Sequence, residues 1–82
     1  MKVSIYDIEH TLFEGEAEKV IAKTTTGEIT ILEGHIPLVT TLVESPVRIF
    51  DSSEKESHVT IKSGLLEVRP GNKVVVLVGE MY

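Results

Sequence analysis

Gly27-Glu28-Ile29-Thr30-Ile31-Leu32-Glu33-Gly34-His35-Ile36-Pro37-Leu38 is the stretch that decides the fold. Ile29 and Ile31 alternate with Glu28 and Thr30, the period of a strand with one buried face, and Leu32 breaks the alternation where the chain prepares to turn. Gly34 tolerates the positive φ such a turn needs, while Pro37 fixes the exit angle and holds Ile36 extended. The stretch therefore reads as a short strand closed by a turn with a polar tip, and it points Glu28 and Thr30 outward beside residues 34–38.

The same grammar continues on both sides. Val3, Ile5 and Ile8 stand against Lys2, Ser4 and Asp7 in a first strand over residues 2–9, and Phe13 and Gly15 suggest a bend. Residues 16–23 have a spacing that a helix could also claim, but the β-branched run Thr24-Thr25-Thr26 before Gly27 favours a strand that ends in a loop. Residues 38–43 and 47–50 read as two strands separated by Glu44-Ser45-Pro46, and the all-polar residues 51–56 as a hairpin loop. Val59 and Ile61 share one face of a further strand, Gly64 punctuates, and Leu65, Leu66 and Val68 begin another. Pro70-Gly71-Asn72 is a turn. The uniformly apolar residues 74–78 read as a strand covered on both faces or lying at a seam between sheets. Turn signals near residues 15, 27, 35, 45, 53, 64 and 71 recur at the cadence of an all-β sandwich or barrel.

Eighty-two residues with no repeat or low-complexity linker make one domain, residues 1–82. A chain of this size buries only about 60–65% of its unfolded surface, so its core is small. The composition, 41% hydrophobic and 26% charged, is that of an ordinary globular chain. There is no cysteine, which removes disulfide and thiolate chemistry. The longest apolar run, residues 74–78, is far short of the roughly 20 residues that span a bilayer, and no basic-then-apolar leader precedes Val3, so a soluble, unprocessed chain is expected. Net charge is −5, with eight acids against three lysines in residues 1–45. That acidic half, together with basic residues scattered among few aromatics, argues against a nucleic-acid surface.

Catalytic and ligand motifs are missing as well. His10, His35 and His58 lie more than twenty residues apart with no HxH or HExxH pattern, so no metal site is expected. The glycines form neither GxGxxG nor GxxxxGK, and no GxSxG elbow presents a nucleophile, so neither a nucleotide cofactor nor catalysis is expected in this chain. What remains is surface. Gly15 reads as a backbone requirement where the chain crosses between sheets, and Glu28 as an outward acid that becomes a candidate partner contact beside the turn holding His35 and Pro37.

Residues 12–20 (LFEGEAEKV), 27–40 (GEITILEGHIPLVT) and 64–68 (GLLEV), running on into the strand at Val74, resemble in order and spacing the amino-terminal β-sandwich domain of the epsilon subunit of F-type rotary ATP synthases. The resemblance covers nearly the whole chain, and its G-E-x-x-I-L strand followed by GH-x-P-L is its most specific element. It implies a flattened two-sheet sandwich of about ten short strands at the foot of the central stalk. Such a domain is a non-catalytic coupling element, holding the gamma subunit to the c-ring during proton-driven ATP synthesis. The resemblance places Glu28, Glu33, Gly34, His35, Ile36, Pro37 and Leu38 toward the c-ring and stalk foot, and Asp7 toward gamma. It further implies a monomer when isolated, no cofactor, and a location on the cytoplasmic face of the inner membrane reached only through the complex. Three departures stand out: Glu44-Ser45-Pro46 where relatives have Pro-Gly, Ser63-Gly64 where they have a glycine pair, and a sequence reaching Met81-Tyr82 where they continue into a regulatory helical hairpin. The Ser63 departure puts close backbone approach at Gly64 in question. The alternative reading is a free-standing β-sandwich module for an unrelated protein or ligand, whose mark is a large apolar pocket with converging polar groups.

Overall fold

The computed structural model describes residues 1–81; Tyr82, part of the end read from the sequence, lies outside them. The described chain is all β: β1 (Lys2–Tyr6), β2 (Thr11–Glu16), β3 (Lys19–Thr24), β4 (Gly27–Leu32), β5 (Leu38–Leu42), β6 (Ser45–Phe50), β7 (Glu56–Arg69) and β8 (Lys73–Met81). Hydrogen-bonded ladders join all eight into one sheet that folds over on itself. The first half of β7 pairs with β6, whereas its second half pairs with β5, so β7 belongs to both layers. One layer is β4-β3-β6-β7, and the other is β2-β1-β8-β7-β5.

Among the described residues there are eight strands rather than about ten, and part of the difference is that β7 turns the corner without breaking. The segments around Val59 and Leu66, read as separate strands, are one strand of 14 residues. The corner coincides with register shifts against β8 between Ile61 and Gly64. A Cβ on Gly64 would lie 3.0 Å from the Leu77 carbonyl oxygen and 3.2 Å from Ile61 Cδ1, so the close approach that Ser63 had put in question is present. Ser63 instead crowds its other neighbour, with its Oγ 2.8 Å from where a Cβ on Gly79 would stand.

Inward residues of both layers form one core, including Val3, Ile5, Val20, Ile31, Leu42, Val47, Ile49, Ile61, Leu66, Val74 and Val76. Each such aliphatic side chain contributes about 1.5–3 kcal/mol when fully buried. Ile31 is fully buried and Ile29 packs against the core, as their alternation requires. Thr24 is the one buried polar residue among those described; its hydroxyl donates to the Gly27 carbonyl at 2.8 Å and accepts the Thr26 N–H at 3.1 Å, closing the β3–β4 hairpin.

Three local readings are corrected. The first strand stops at Tyr6, and the bend expected at Phe13 and Gly15 falls on residues 7–10, where Asp7 Oδ1 accepts the backbone N–H groups of Glu9 and His10 and caps a turn. Gly15 lies inside β2 opposite Val3, with only ordinary contact awaiting a Cβ, so it makes no crossing between sheets. Pro46 belongs to β6 rather than to a loop. There β6 pairs only with β7, since β3 joins it from Arg48 to Phe50, and the missing N–H of a proline costs little on an unpaired side.

Candidate functional site

Residues 74–78 lie in the middle of the second layer, between β1 and β7, but only their inner face is covered. Val74, Val76 and Val78 are buried, while Val75 is half-buried and Leu77 is 44% exposed. A two-layer fold leaves the outer side of each sheet to solvent or to a partner. Register arranges that outer side in rows. Tyr6, Leu77, Leu65 and Thr41 stand opposite one another across β1, β8, β7 and β5, and so do Ser4, Val75, Glu67 and Val39 in the next row. Leu65 is 43% exposed and Val39 62%. A third row, Lys2, Lys73 and Arg69, crosses the same face at its far end.

Past Tyr6 the apolar rows run into the 7–10 turn, where Ile8 is 96% exposed. Residues 6–10 and 77–80 border an open cleft of about 820 Å³. Asp7 sits on this rim. The N–H groups of Glu9 and His10 hold its carboxyl below the usual carboxylate range, and the nearby His10 ring, 3.5 Å away, acts in the same direction. A carboxylate kept ionised by its own turn holds Ile8 in place at the edge of the face.

The 33–37 turn lies at the opposite end of the sandwich, beside the chain start. Gly34 has φ 84°, the left-handed conformation expected of it, and its N–H donates to Asn72 Oδ1 at 3.0 Å. Glu33 Oε1 accepts from the Met1 α-ammonium at 3.3 Å, and that ammonium also donates to the Ala17 carbonyl at 2.9 Å and pairs with Glu16 at 3.5 Å. The His35 N–H donates to the Leu32 carbonyl at 3.1 Å. His35 Nδ1 is 2.6 Å from the Ile36 carbonyl oxygen, which can only accept, so this ring nitrogen carries a proton. Anchored in this way, the turn presents Ile36, 75% exposed, with Pro37, while Leu38 packs against the core.

Glu28 does point outward, but not beside this turn. It stands near the start of β4, opposite Lys23, whereas the turn follows Leu32 at the other end. Four residues of strand, about 13 Å, separate Glu28 from Leu32. The two are connected by β4 itself, which is the terminal strand of its sheet. On the outer side of this layer Arg48 donates to both carboxylate oxygens of Glu56 at 3.0 Å, and Lys19 and Arg48 lie over the Phe50 ring at 4.4 and 5.1 Å. The Glu56 bond raises the Arg48 pKa and lowers that of Glu56, with Glu28 adding a smaller effect on Arg48.

The structure thus brings Glu33, Gly34, His35, Ile36 and Pro37 together, and it sets Glu28 and Asp7 on separate surfaces. Val39, Leu65, Leu77 and Ile8 are the surface residues that sequence reasoning passed over. Their signal is the odd-numbered phase Val75 and Leu77 beside Lys73, legible once the outer side of a two-layer sandwich is known to have no third layer above it. Among the described residues no group of three or more His, Asp or Glu is placed to hold a metal ion, and no helix is long and apolar enough to cross a membrane.

These features define a class: a small two-layer β-sandwich that offers broad outer faces and an edge rather than an enclosed pocket. The chain belongs to the family of the ATP synthase delta/epsilon chain β-sandwich domain, which it matches over residues 1–82. It is similar to the ATP synthase epsilon chain of Brevibacillus brevis, with 43% identity over 77 residues covering 94% of this chain and 58% of that one. The ATP synthase epsilon chain of Shouchella clausii is also 43% identical, over 70 residues covering 85% and 52%. The chain therefore spans little more than half the length of these relatives. In three dimensions it resembles a chain of the Euglena gracilis mitochondrial ATP synthase OSCP/F1/c-ring assembly, with TM-score 0.87, 19% identity and coverage of 95% and 49%. It also resembles a chain of the Tetrahymena thermophila mitochondrial ATP synthase central stalk/c-ring, with TM-score 0.78, 15% identity and coverage of 99% and 63%. At these identities the structural likeness concerns the fold alone.

Proposed function

We propose that this chain is the sandwich domain of a non-catalytic central-stalk subunit that couples the gamma subunit to the c-ring in a proton-driven ATP synthase. The observation that carries the reading is the uncovered apolar face of β1, β8, β7 and β5, continuous with the turn that Asp7 caps. Exposed apolar surface of this kind marks a protein interface, and on this reading it receives gamma. The open edge of β4, with Glu28 at one end and Glu33, Gly34, His35, Ile36, Pro37 and Leu38 at the other, faces the c-ring along its length rather than at one point. Family membership supports this assignment, as do relatives named as ATP synthase epsilon chains. A sandwich with a close-packed core suits torque transmission, because such an interior yields little under load. On this reading the domain occupies the cytoplasmic face of the inner membrane and touches lipid only through the complex.

Affinity purification from the native cell tests the proposal. Recovery of gamma and c subunits with the intact chain supports it, whereas a pure monomer or an unrelated partner would sink it. Site-directed cross-linking from Leu77 and from Ile36 then separates the two surfaces, with gamma expected at the first and c-ring loops at the second.

A further inference from the structure

We propose that Lys2, Lys73 and Arg69 form a cationic clamp for an acidic border on the segment of gamma that covers the apolar face; this rests on the reading that the face receives gamma. Lys73 stands directly opposite Lys2 on β1 and Arg69 on β7, so three like charges follow one another across neighbouring strands. Such an arrangement opposes folding. It is more telling in a chain with 13 acids and 8 basic residues, where a carboxylate at position 73 would pair with both neighbours. The flanking charges relieve it only in part. Lys2 approaches Glu14 at the 4.0 Å limit, Arg69 Nε donates to Glu67 at 3.0 Å, and Lys73 has no ion-pair partner among the described residues.

The row borders a depression of about 190 Å³. It lies on the same outer face as Val75 and Leu77, with successive rows roughly 7 Å apart. A covering segment therefore needs apolar side chains over Val75, Leu77 and Leu65, and carboxylates on one border about 7 Å from Val75 and about 13 Å from Leu77 and Leu65, spread over about 10 Å. That pattern is protein chemistry. An anionic bilayer would meet a net charge of −5 and a flush apolar sheet rather than an isolated basic patch. Cations in such a place set the orientation of the partner and its rate of capture.

The experiment measures gamma binding by the intact chain carrying Lys73→Glu, Lys73→Gln or Leu77→Asp, with salt varied. Expected are unchanged or raised thermal stability for both Lys73 variants, about a tenfold loss of affinity for Lys73→Glu at low salt, a smaller loss for Lys73→Gln, and deficits that shrink as salt is added. Loss of binding by Leu77→Asp with full affinity in Lys73→Glu overturns the clamp and leaves the gamma face standing. Parent affinity in Leu77→Asp overturns the gamma face itself, and the clamp with it. A lowered melting temperature for Lys73→Glu overturns the repulsion argument. Binding of the parent to phosphatidylglycerol vesicles that Lys73→Glu abolishes, with gamma binding intact, assigns the row to lipid instead.

Discussion

Gly64→Ala and Gly64→Val test the corner on which the two layers depend. An added Cβ meets the Leu77 carbonyl oxygen at 3.0 Å and Ile61 Cδ1 at 3.2 Å. The isoleucine methyl can rotate aside, but the carbonyl belongs to the β7–β8 ladder and cannot move without loosening Gly64 from Val78 and Leu65 from Leu77. Overpacking of this kind costs about 1–3 kcal/mol. Alanine recovers about 0.4–1 kcal/mol by narrowing the unfolded ensemble, since φ at Gly64 is not in the left-handed region. The net loss for Gly64→Ala is then at most about 2.6 kcal/mol and about 1.3 kcal/mol at mid-range. Valine adds branches at the same crowded point and costs more. In a domain of this size each kcal/mol moves the melting temperature by about 4–8 °C, so the mid-range loss should lower the melting point of Gly64→Ala by roughly 5–10 °C. Calorimetry or thermal circular dichroism reads this directly. A Gly64→Val protein that melts with the parent would refute the view that β7 and β8 are held in contact at this residue.

Three further outcomes follow from the same geometry. Gly79→Ala brings a Cβ within 2.8 Å of Ser63 Oγ, a movable group, so the loss in a melting experiment should be rescued by adding Ser63→Ala, with a coupling of about 1 kcal/mol in the double-mutant cycle. Asp7 and Glu56 have folded-state pKa values below their ordinary values of 3.8 and 4.5. Their contribution to stability is therefore complete above those values and lost as pH falls through the depressed ones; urea midpoints should drop below about pH 4.5 and drop less in Asp7→Asn and Glu56→Gln. Glu28→Lys places a like charge opposite Lys23 and should cost under about 1 kcal/mol, while weakening retention of the c-ring most at low ionic strength; undiminished retention would remove Glu28 from that surface.

Alternation was enough to set which side of each short strand faces inward, because burial in a sheet follows a period of two and one phase must be apolar. Val3 and Ile5, and Ile29 and Ile31, could be assigned from the residues alone, as could the turns at Gly34 and at residues 70–72, whose backbone demands few residue types meet. The 7–10 turn had a signal in the sequence that the strand reading ran past: Asp7 takes the inward phase of Val3 and Ile5 while Ile8 falls out of it, which marks the end of the alternation. The unity of β7 was hidden because Gly64 signals a break locally, and only the contact with Leu77 shows that it serves close packing through a continuous strand. Distance along the sheet was likewise a tertiary matter. Glu28 and His35 are neighbours in sequence and lie at opposite ends of β4 in space, while Lys2, Lys73 and Arg69, distant in sequence, become a single row through the pairing of β1, β8 and β7. Local periodicity specifies the face a side chain takes, but which side chains share that face depends on strand order and register, and those are set by the packing of the whole core.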